Sequence, residues 1–275
     1  MARLAIISDI HGNLVALEEV LRDIDQRDVD AVICLGDIVG YGPESAECVA
    51  LVRHACRMVI RGNHEDGVLA AESSGESARG WNPIARAGIA YARRTLSSDD
   101  CAFLASLPAS LSVAGLLLAV HDSPIPNDHG MSYLRSATDA ADAFLWQREP
   151  ICLVGHTHVP AFFSTTAAAT TRPHPEDIRS VVLSAGTDDA AHLGSVASQE
   201  STQRVKIARQ SRTIVNPGSV GQPRDRDPRA SYAILDLARA AVEFNRVAYD
   251  IDEAMRRTRA AGLPEILSER LAIGA

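Results

Sequence analysis

The chain has the size and composition of a globular protein: 275 residues, 46% of them hydrophobic, a formal net charge of −8 and an isoelectric point near 5.6. It can bury a full core, and its acidic charge argues against tight, sequence-independent nucleic-acid binding, which draws its affinity from Lys and Arg. No run reaches the roughly 18 uncharged apolar residues that would cross a bilayer, and no signal-peptide pattern follows Met1, so membrane insertion and secretion are not expected.

The first 60 residues alternate between short apolar runs and helical periodicity. Strands are predicted at 4–8, 31–35 and 57–60, and helices are predicted from Leu14 and from about Glu44. Continuous apolar strands separated by helices are typical of a parallel sheet with crossover helices. A polar motif follows each strand at once, where ligand sites of such sheets collect.

The middle of the chain continues with helices, a hairpin and further strands. Helices are predicted at 82–106 and 137–147. The runs SLSVAG and LLLAVH are predicted to form a hairpin whose second strand delivers His121, and strands are predicted for ICLVGHTH and AFFS.

The last third of the chain contains an irregular stretch. Residues 165–212 are rich in Ala, Thr, Ser and charge, and only 180–184 resembles a strand, so we predict a surface insertion there. Strand signals return at TIVNPGSV, SYAILDL and VEFNRVAYD, before a helical segment from about Ile251. We interpret residues 1–275 as a single domain that carries this insertion.

The cysteines indicate the compartment. They form no C-x-x-C pair and lie mostly inside apolar runs, at Cys34, Cys48, Cys56, Cys101 and Cys152. Buried free thiols in a reducing compartment are the expectation, and we predict a cytoplasmic protein.

Five polar motifs, each directly after an apolar run, carry residue types that bind metals. They are Asp9-Ile10-His11, Gly36-Asp37, Gly62-Asn63-His64-Glu65, His121 and Gly155-His156-Thr157-His158. In sheet and loop backbone, residues two apart point to the same side, so each D-x-H and H-x-H pair can offer two ligands to one space. A mixed set of carboxylates, imidazoles and one amide suits Mn, Fe, Zn, Ni or Co better than Ca or Mg. Seven candidate ligands exceed what one ion needs, so two ions bridged by one carboxylate are predicted.

Each motif alone has an ordinary structural explanation. A D-x-H is commonly a turn, and a single histidine on an apolar strand is commonly a hydrogen-bonded core residue. Five such motifs, each at the end of a strand, are hard to explain by folding requirements alone.

The order D-x-H, G-D, G-N-H-[DE], H and G-H-x-H resembles the signature of the calcineurin-like metallophosphoesterases. The closer resemblance is to a bacterial and archaeal branch of small phosphodiesterases and phosphatases, carried by ISDIHGN, LGDIVGYGP, GNHE, VHDSP, VGHTHVPAF and NPGSVGQPRD. It runs from residue 3 to about residue 271, apart from 165–212. The resemblance implies an α/β fold, a four-layer α/β/β/α sandwich.

The resemblance also implies a role for each ligand. Asp9, His11 and His158 would hold the first metal, Asn63, His121 and His156 the second, and Asp37 would bridge them. The cofactors would be two divalent transition-metal ions, Mn foremost, and a hydroxide shared between them would attack the phosphate ester. His64 resembles the catalytic histidine of the family, which assists the leaving oxygen; the alternative is a hydrogen bond to a ligand.

Three further residues are candidates for substrate binding. Arg61 precedes GNHE as an arginine does in the serine/threonine phosphatases of the family, and it would either grip the substrate phosphate bidentately or form a salt bridge. Asn216 and Arg224 belong to NPGS and QPR, a second signature of the branch that would either border the pocket or form a tight turn.

Two departures from the family pattern bear on the substrate. Ile38-Val39-Gly40-Tyr41 stands where those phosphatases carry an Asp-Arg pair, so a dedicated protein phosphatase is not expected. Asp122 follows the metal-binding His121 where the branch usually has glycine. His129, His174 and His192 lie outside all motifs and are predicted to be surface residues.

The predicted function is hydrolysis of a small phosphate ester or nucleotide, as a phosphomonoesterase or phosphodiesterase. One alternative is a nuclease, which the acidic charge and the lack of a basic or aromatic strand-binding tract disfavour. Another is an interaction scaffold without catalysis, which the presence of every ligand and of His64 disfavours.

Overall fold

The computed structural model describes residues 2–70, 81–113, 115–126, 132–184 and 201–275, which form two six-stranded sheets and the helices around them. The strands are β1 (Arg3–Ile7), β2 (Ala31–Cys34), β3 (Met58–Val59), β4 (Ser110–Val113), β5 (Leu117–Val120), β6 (Ile151–Leu153), β7 (Ala161–Thr165), β8 (Arg179–Val182), β9 (Thr202–Lys206), β10 (Arg212–Asn216), β11 (Ala230–Asp236) and β12 (Ala241–Val247). The helices are α1 (Leu14–Asp25), α2 (Ser45–Ala55), α3 (Asn63–Leu69), α4 (Pro83–Thr95), α5 (Ser98–Ser106), α6 (Ala137–Trp146), α7 (Ile251–Ala260) and α8 (Glu265–Ile273).

Both sheets are mixed. The strand order is β3-β2-β1-β11-β12-β9 in the first and β4-β5-β6-β10-β7-β8 in the second. The predicted parallel arrangement holds for β1, β2 and β3, and β5, β6 and β10 are parallel in the second sheet. The other pairs are antiparallel. Ile6 of β1, for example, lies between Ile33 of the parallel strand β2 and Ala233 of the antiparallel strand β11.

Alternating side chains of β1 divide the core into layers. Ala5 and Ile7 pack with the helices that cover the first sheet, whereas Leu4 and Ile6 pack against the second sheet. On the far side of the second sheet, Phe144 of α6 is fully buried against strand residues. Burying a side chain such as Ile6, Ile7 or Phe144 contributes roughly 1.5–3 kcal/mol. The layers run helix, sheet, sheet, helix, and the predicted four-layer sandwich is confirmed.

Two predicted helical stretches each consist of two helices. In 82–106 the break is at Ser97, whose Oγ accepts a hydrogen bond from Asp100 N at 3.1 Å while Asp100 Oδ2 accepts one from Ser97 N at 2.9 Å. This reciprocal pair is a capping box, which begins a new helix. In the C-terminal stretch Pro264, at the N-cap of α8, separates the two helices.

Residues 165–212 contain more regular structure than the sequence predicts. β8 confirms the strand expected near 180–184, but β9 was not predicted, and it forms the edge of the first sheet beside β12. Only Val205 of β9 is buried, so this strand lacks the apolar run that reveals central strands. Residues 185–200 lie outside the described part, and whether this segment is an insertion stays a prediction.

The cysteines agree with the expectation of free, mostly buried thiols. All five cysteines are described and free, with Cys34, Cys48 and Cys152 buried and Cys56 and Cys101 partly buried. Within the described ranges, no helix has the length and apolar character that crossing a membrane requires.

Candidate metal centre

The five polar motifs meet at one end of the sandwich. Each follows the carboxyl end of a strand from a parallel group: β1, β2 and β3 in the first sheet, β5 and β6 in the second. The carboxyl ends of parallel strands share one edge of a sheet, which is why loops distant in sequence converge there.

The ligand loops turn sharply through left-handed backbone. Asp9, His11, Asp37, His156 and His158 have φ angles between 51° and 65°. The D-x-H and H-x-H pairs thus lie in tightly turned loop backbone, and both members of each pair face the same space, as predicted. Left-handed backbone costs an L-residue roughly 1–2 kcal/mol, and such strain concentrates at functional sites.

The side chains form three overlapping groups of candidate ligands. One group, His11, Asp37 and His64, takes one residue from each of the other two, which share no residue. Asp9, His11 and His158 make the first of these two, with His158 Nε2 3.3 Å from Asp9 Oδ1 and 3.1 Å from His11 Nε2. Asp37, His121 and His156 make the second. In each group the ligand atoms lie within 4.8 Å of one another, close enough to hold a metal ion.

Asp37 lies between the two groups. Its Oδ2 is 3.2 Å from His121 Nε2 and 3.6 Å from His11 Nε2. Its Oδ1 accepts a hydrogen bond of 2.8 Å from the backbone N–H of His64, which fixes the carboxylate. One carboxylate that faces both groups is the arrangement a bridging ligand needs.

Several ligand atoms are buried without a hydrogen-bond partner in the described part of the chain. They are Asp9 Oδ1, Asn63 Oδ1, His121 Nε2 and His156 Nε2. An unsatisfied buried polar atom costs roughly 1–3 kcal/mol, and native proteins rarely leave four together. Lone pairs that converge without donors fit cations, so the residues present suit a pair of metal ions.

Backbone carbonyls orient three of the histidines. The Nδ1 atoms of His11, His121 and His158 lie 3.1, 2.7 and 2.6 Å from the carbonyl oxygens of Val39, Leu35 and Gln222. A protonated Nδ1 that donates to a carbonyl leaves Nε2 as the coordinating atom, and Nε2 is the atom that faces the centre in each ring.

The pKa values of three of the four candidate histidine ligands suit metal binding, which requires a coordinating nitrogen without a proton. Burial lowers the pKa of His11 and His158, and it lowers the pKa of His156 to about 3. Burial alone would also lower the pKa of His121, but the charges of Asp37 and Asp9 outweigh it and raise this pKa to about 10. In the metal-free protein His121 is thus the one imidazole among these four that carries both ring protons, and a positive charge, at neutral pH.

Comparison with known proteins decides the family. The family model described as calcineurin-like phosphoesterase matches residues 2–162. An uncharacterized protein of Methanocaldococcus jannaschii is 33% identical over 273 residues, which cover 98% of both chains. The chain belongs to the calcineurin-like phosphoesterases. The predicted recognition is confirmed, and the protein is a metal-dependent phosphoesterase, a phosphoric ester hydrolase.

Solved structures agree with this fold. A metallophosphoesterase from Sphaerobacter thermophilus is 38% identical, with a TM-score of 0.77 over 100% of this chain and 99% of that one. A hypothetical protein from Pyrococcus horikoshii is 19% identical, with a TM-score of 0.73 over the same shares of the two chains, and shows the same fold.

His64 of this phosphoesterase is buried beside the two ligand groups. Its ring packs against those of His11, Tyr41 and Trp81, with centroids 4.5 to 4.9 Å apart. Burial lowers its pKa to about 4, so at neutral pH the ring is uncharged and carries one N–H. Its Nδ1 has no hydrogen-bond partner in the described ranges and lies against Gly40, where an added Cβ would come within 2.3 Å of it.

Glu65 is a site residue whose role was not predicted from the sequence. It is fully buried, and its carboxylate accepts hydrogen bonds of 2.7 to 3.2 Å from the N–H groups of Asp37, Ile38, Val39 and Gly62. It thereby holds the Asp37 loop against the start of α3. The available signal was its position three residues after Gly62, where an acidic residue commonly bonds the first N–H groups of a helix.

The three predicted substrate residues lie in different surroundings. Arg61 Nε is 2.6 Å from Asp66 Oδ1, which is the salt bridge that the sequence left open. The Asn216 amide donates to Gly155 O and Thr157 Oγ1 at 2.7 and 2.9 Å, so it supports the loop that carries His156 and His158.

Arg224 borders a cavity of about 180 Å³ at the metal centre. The cavity is lined by His64, by candidate ligands and by aromatic side chains. The candidate ligands are Asp37, Asn63, His156 and His158, and the aromatic side chains are Tyr41, Trp81 and Tyr133. A second cavity of about 340 Å³ is also bordered by Asn63 and is lined by Arg61, His121 and Asp122. Two cavities therefore adjoin the candidate ligands.

The histidines outside the motifs are away from the centre where they are described. The side chain of His174 is 78% exposed, as predicted. His129 and His192 lie outside the described residues.

Proposed function

We propose that the protein hydrolyses phosphate esters of small molecules or nucleotides with two divalent metal ions. The observation that supports this most is Asp37, whose Oδ2 faces His11 on one side and His121 on the other. Mn²⁺ is the ion we propose first, and Fe, Zn, Ni and Co suit the same mixed donors.

The ligands divide into two sets. Asp9, His11 and His158 would hold one ion; Asn63, His121 and His156 would hold the other; Asp37 would contact both. Two bound divalent ions polarise a phosphoryl group and lower the pKa of a water molecule that attacks it. The buried lone pairs of Asp9, Asn63 and His156 support this assignment, and His121 Nε2 would join them on losing its proton.

His64 and Arg224 complete the proposed site. The uncharged ring of His64 has one N–H, which would donate a hydrogen bond to the leaving oxygen. Arg224 lines the same cavity and has a planar fork of donors that matches phosphoryl oxygens. Because Asn63 borders two cavities, a phosphodiester would have room for each of its organic groups.

A cytoplasmic location is part of the proposal. It is supported by the five free cysteines, which an oxidising compartment would expose to disulfide formation.

The test is hydrolysis of bis-p-nitrophenyl phosphate and p-nitrophenyl phosphate by metal-stripped protein resupplied with Mn²⁺. Activity should return with the metal, and Asp37→Ala should lower kcat/KM by about 1000-fold, since a metal centre supplies several kcal/mol of transition-state stabilisation. Asp236→Ala, which removes another buried aspartate paired with Arg239, is the matched control. Activity independent of metal, or unchanged in Asp37→Ala, would overturn the proposal.

A further inference from the structure

We propose that Arg224 and Arg270 form an anion subsite beside the metal centre that binds a second phosphate group carried by the substrate. The inference rests on the proposed function and narrows its substrates to organic bisphosphates and polyphosphates. It concerns a residue of α8, Arg270, that belongs to none of the motifs.

Arg224 is held next to the metal ligands. Its backbone N–H donates to His158 O at 3.3 Å, and its guanidinium lies 5.6 Å from the centre of the Tyr41 ring. Its Nη2 donates to Gln222 Oε1 at 2.9 Å, whereas its buried Nε has no partner in the described ranges. The side chain is thus fixed by neutral groups and keeps donors for a ligand.

The packing of α8 brings Arg270 to the same place. Residues 267, 270, 271 and 274 share one helical face, and Leu267 and Leu271 border a small internal space together with Tyr41 and Gln222. At the end of this face, Gly274 O accepts a hydrogen bond of 2.9 Å from Arg226 N, so α8 packs directly on the loop that carries Arg224. Arg270 shares this face, and its guanidinium is close enough to Tyr41 and Arg224 for their charges to act on one another.

The two arginines differ in their charge environment from Arg229 and Arg246, which lie near them in the sequence or the fold. Arg229 and Arg246 are neutralised by Asp225 and Asp227, whereas neither Arg224 nor Arg270 has a carboxylate partner among the residues that the structure describes. Burial and the charge of Arg224 together lower the pKa of Arg270, as expected for two neighbouring cations without a counter-ion. A half-buried pair of like charges is unfavourable unless an anion binds it.

The position of Arg270 indicates that the arginine pair binds a second phosphate group and not the phosphate that is hydrolysed. Arg224 lines the cavity that contains Asp37 and His156, and Arg270 is not among its lining residues. A phosphate at the metal ligands can reach Arg224, whereas contact with both guanidiniums requires an anion further from the metals. Arginine guanidinium groups bind phosphate bidentately, and a phosphate ester is already the group that the enzyme hydrolyses. A second phosphate group of the same substrate is therefore the anion that suits this pair.

The test compares two ligands that cannot be hydrolysed, propylphosphonate and propane-1,3-diphosphonate, by calorimetry on the Mn²⁺-loaded protein. We expect the wild type to bind the diphosphonate at least about tenfold more tightly, since a charged hydrogen bond is worth about a factor of ten or more. Arg270→Gln should bring this ratio close to one, and Arg270→Lys should restore part of it. Arg256→Gln is the control, because Arg256 lies exposed on α7 and pairs with Glu253.

Equal affinities of the wild type for the two phosphonates, or the same ratio in wild type and Arg270→Gln, would overturn the subsite. Hydrolysis of bis-p-nitrophenyl phosphate and of p-nitrophenyl phosphate is measured on the same preparations. If the wild type hydrolyses neither, the proposed function fails, but the calorimetric ratio still decides whether the arginine pair binds a second phosphate.

Discussion

Substitution of Gly40 by alanine tests what His64 does. Gly40 has a φ of +87°, and a Cβ there would lie 2.3 Å from His64 Nδ1. Ordinary contacts of a Cβ begin near 3.4 Å, so the histidine ring must move by roughly 1 Å. A displacement of this size in a catalytic group lowers a rate by about 100-fold, and we expect kcat for bis-p-nitrophenyl phosphate to fall accordingly.

A matched control separates this effect from backbone strain. Alanine in left-handed backbone costs roughly 1–2 kcal/mol wherever it occurs, so Gly40→Ala should also lower the free energy of unfolding by this amount. Gly262, between α7 and α8, has a φ of +70°, and no described atom lies within 4 Å of the position that a Cβ would take there. Gly262→Ala should lose the same stability in urea unfolding and keep the wild-type kcat.

The outcome also depends on the metal content of the variants. The backbone N–H of His64 donates to Asp37 Oδ1, so a shift of α3 would disturb a ligand. Gly40→Ala protein with full Mn²⁺ content and low kcat would support a role of the His64 ring in the reaction. The same protein with wild-type kcat would refute the reasoning, and reduced Mn²⁺ content would place the effect on the metal centre.

Two other predictions concern the carboxylate that holds the Asp37 loop and the protonation of a ligand. Glu65→Gln leaves two of four N–H donors without an acceptor, so it should lower the free energy of unfolding, measured in urea, by about 3 kcal/mol. The control is Glu243→Gln, which should cost about 1 kcal/mol because the partners of Glu243 are arginine side chains. Equal losses in the two variants would contradict the role of Glu65. Because the pKa of His121 is raised to about 10, a metal ion must displace a proton from this ring to bind. The affinity for Mn²⁺ should therefore rise about tenfold per pH unit from pH 7 to 9. Competition with a chelator measures the affinity, and an affinity that does not change with pH would contradict the prediction.

Much of the site was predictable from sequence because its residues are attached to strands. An apolar run of four or five residues followed at once by Asp9, Asp37 or His156 fixes both the strand and the place where the ligand leaves the sheet. The parallel direction of β1, β2 and β3 then follows from the helices between them. The four-layer order came from the family resemblance, and the packing of Leu4 and Ile6 on one face and Ala5 and Ile7 on the other confirms it.

What the sequence by itself determined is therefore local: which residues form central strands, which polar side chains follow them, and which capping residues begin a helix. Contacts between segments far apart in the chain required the tertiary structure. β9 joins an edge and buries only Val205, Glu65 binds N–H groups of another loop, and α8 brings Arg270 to Arg224. The physical reason is that burial periodicity is written along the chain, whereas the pairing of charges and hydrogen bonds depends on how packed layers bring distant loops together.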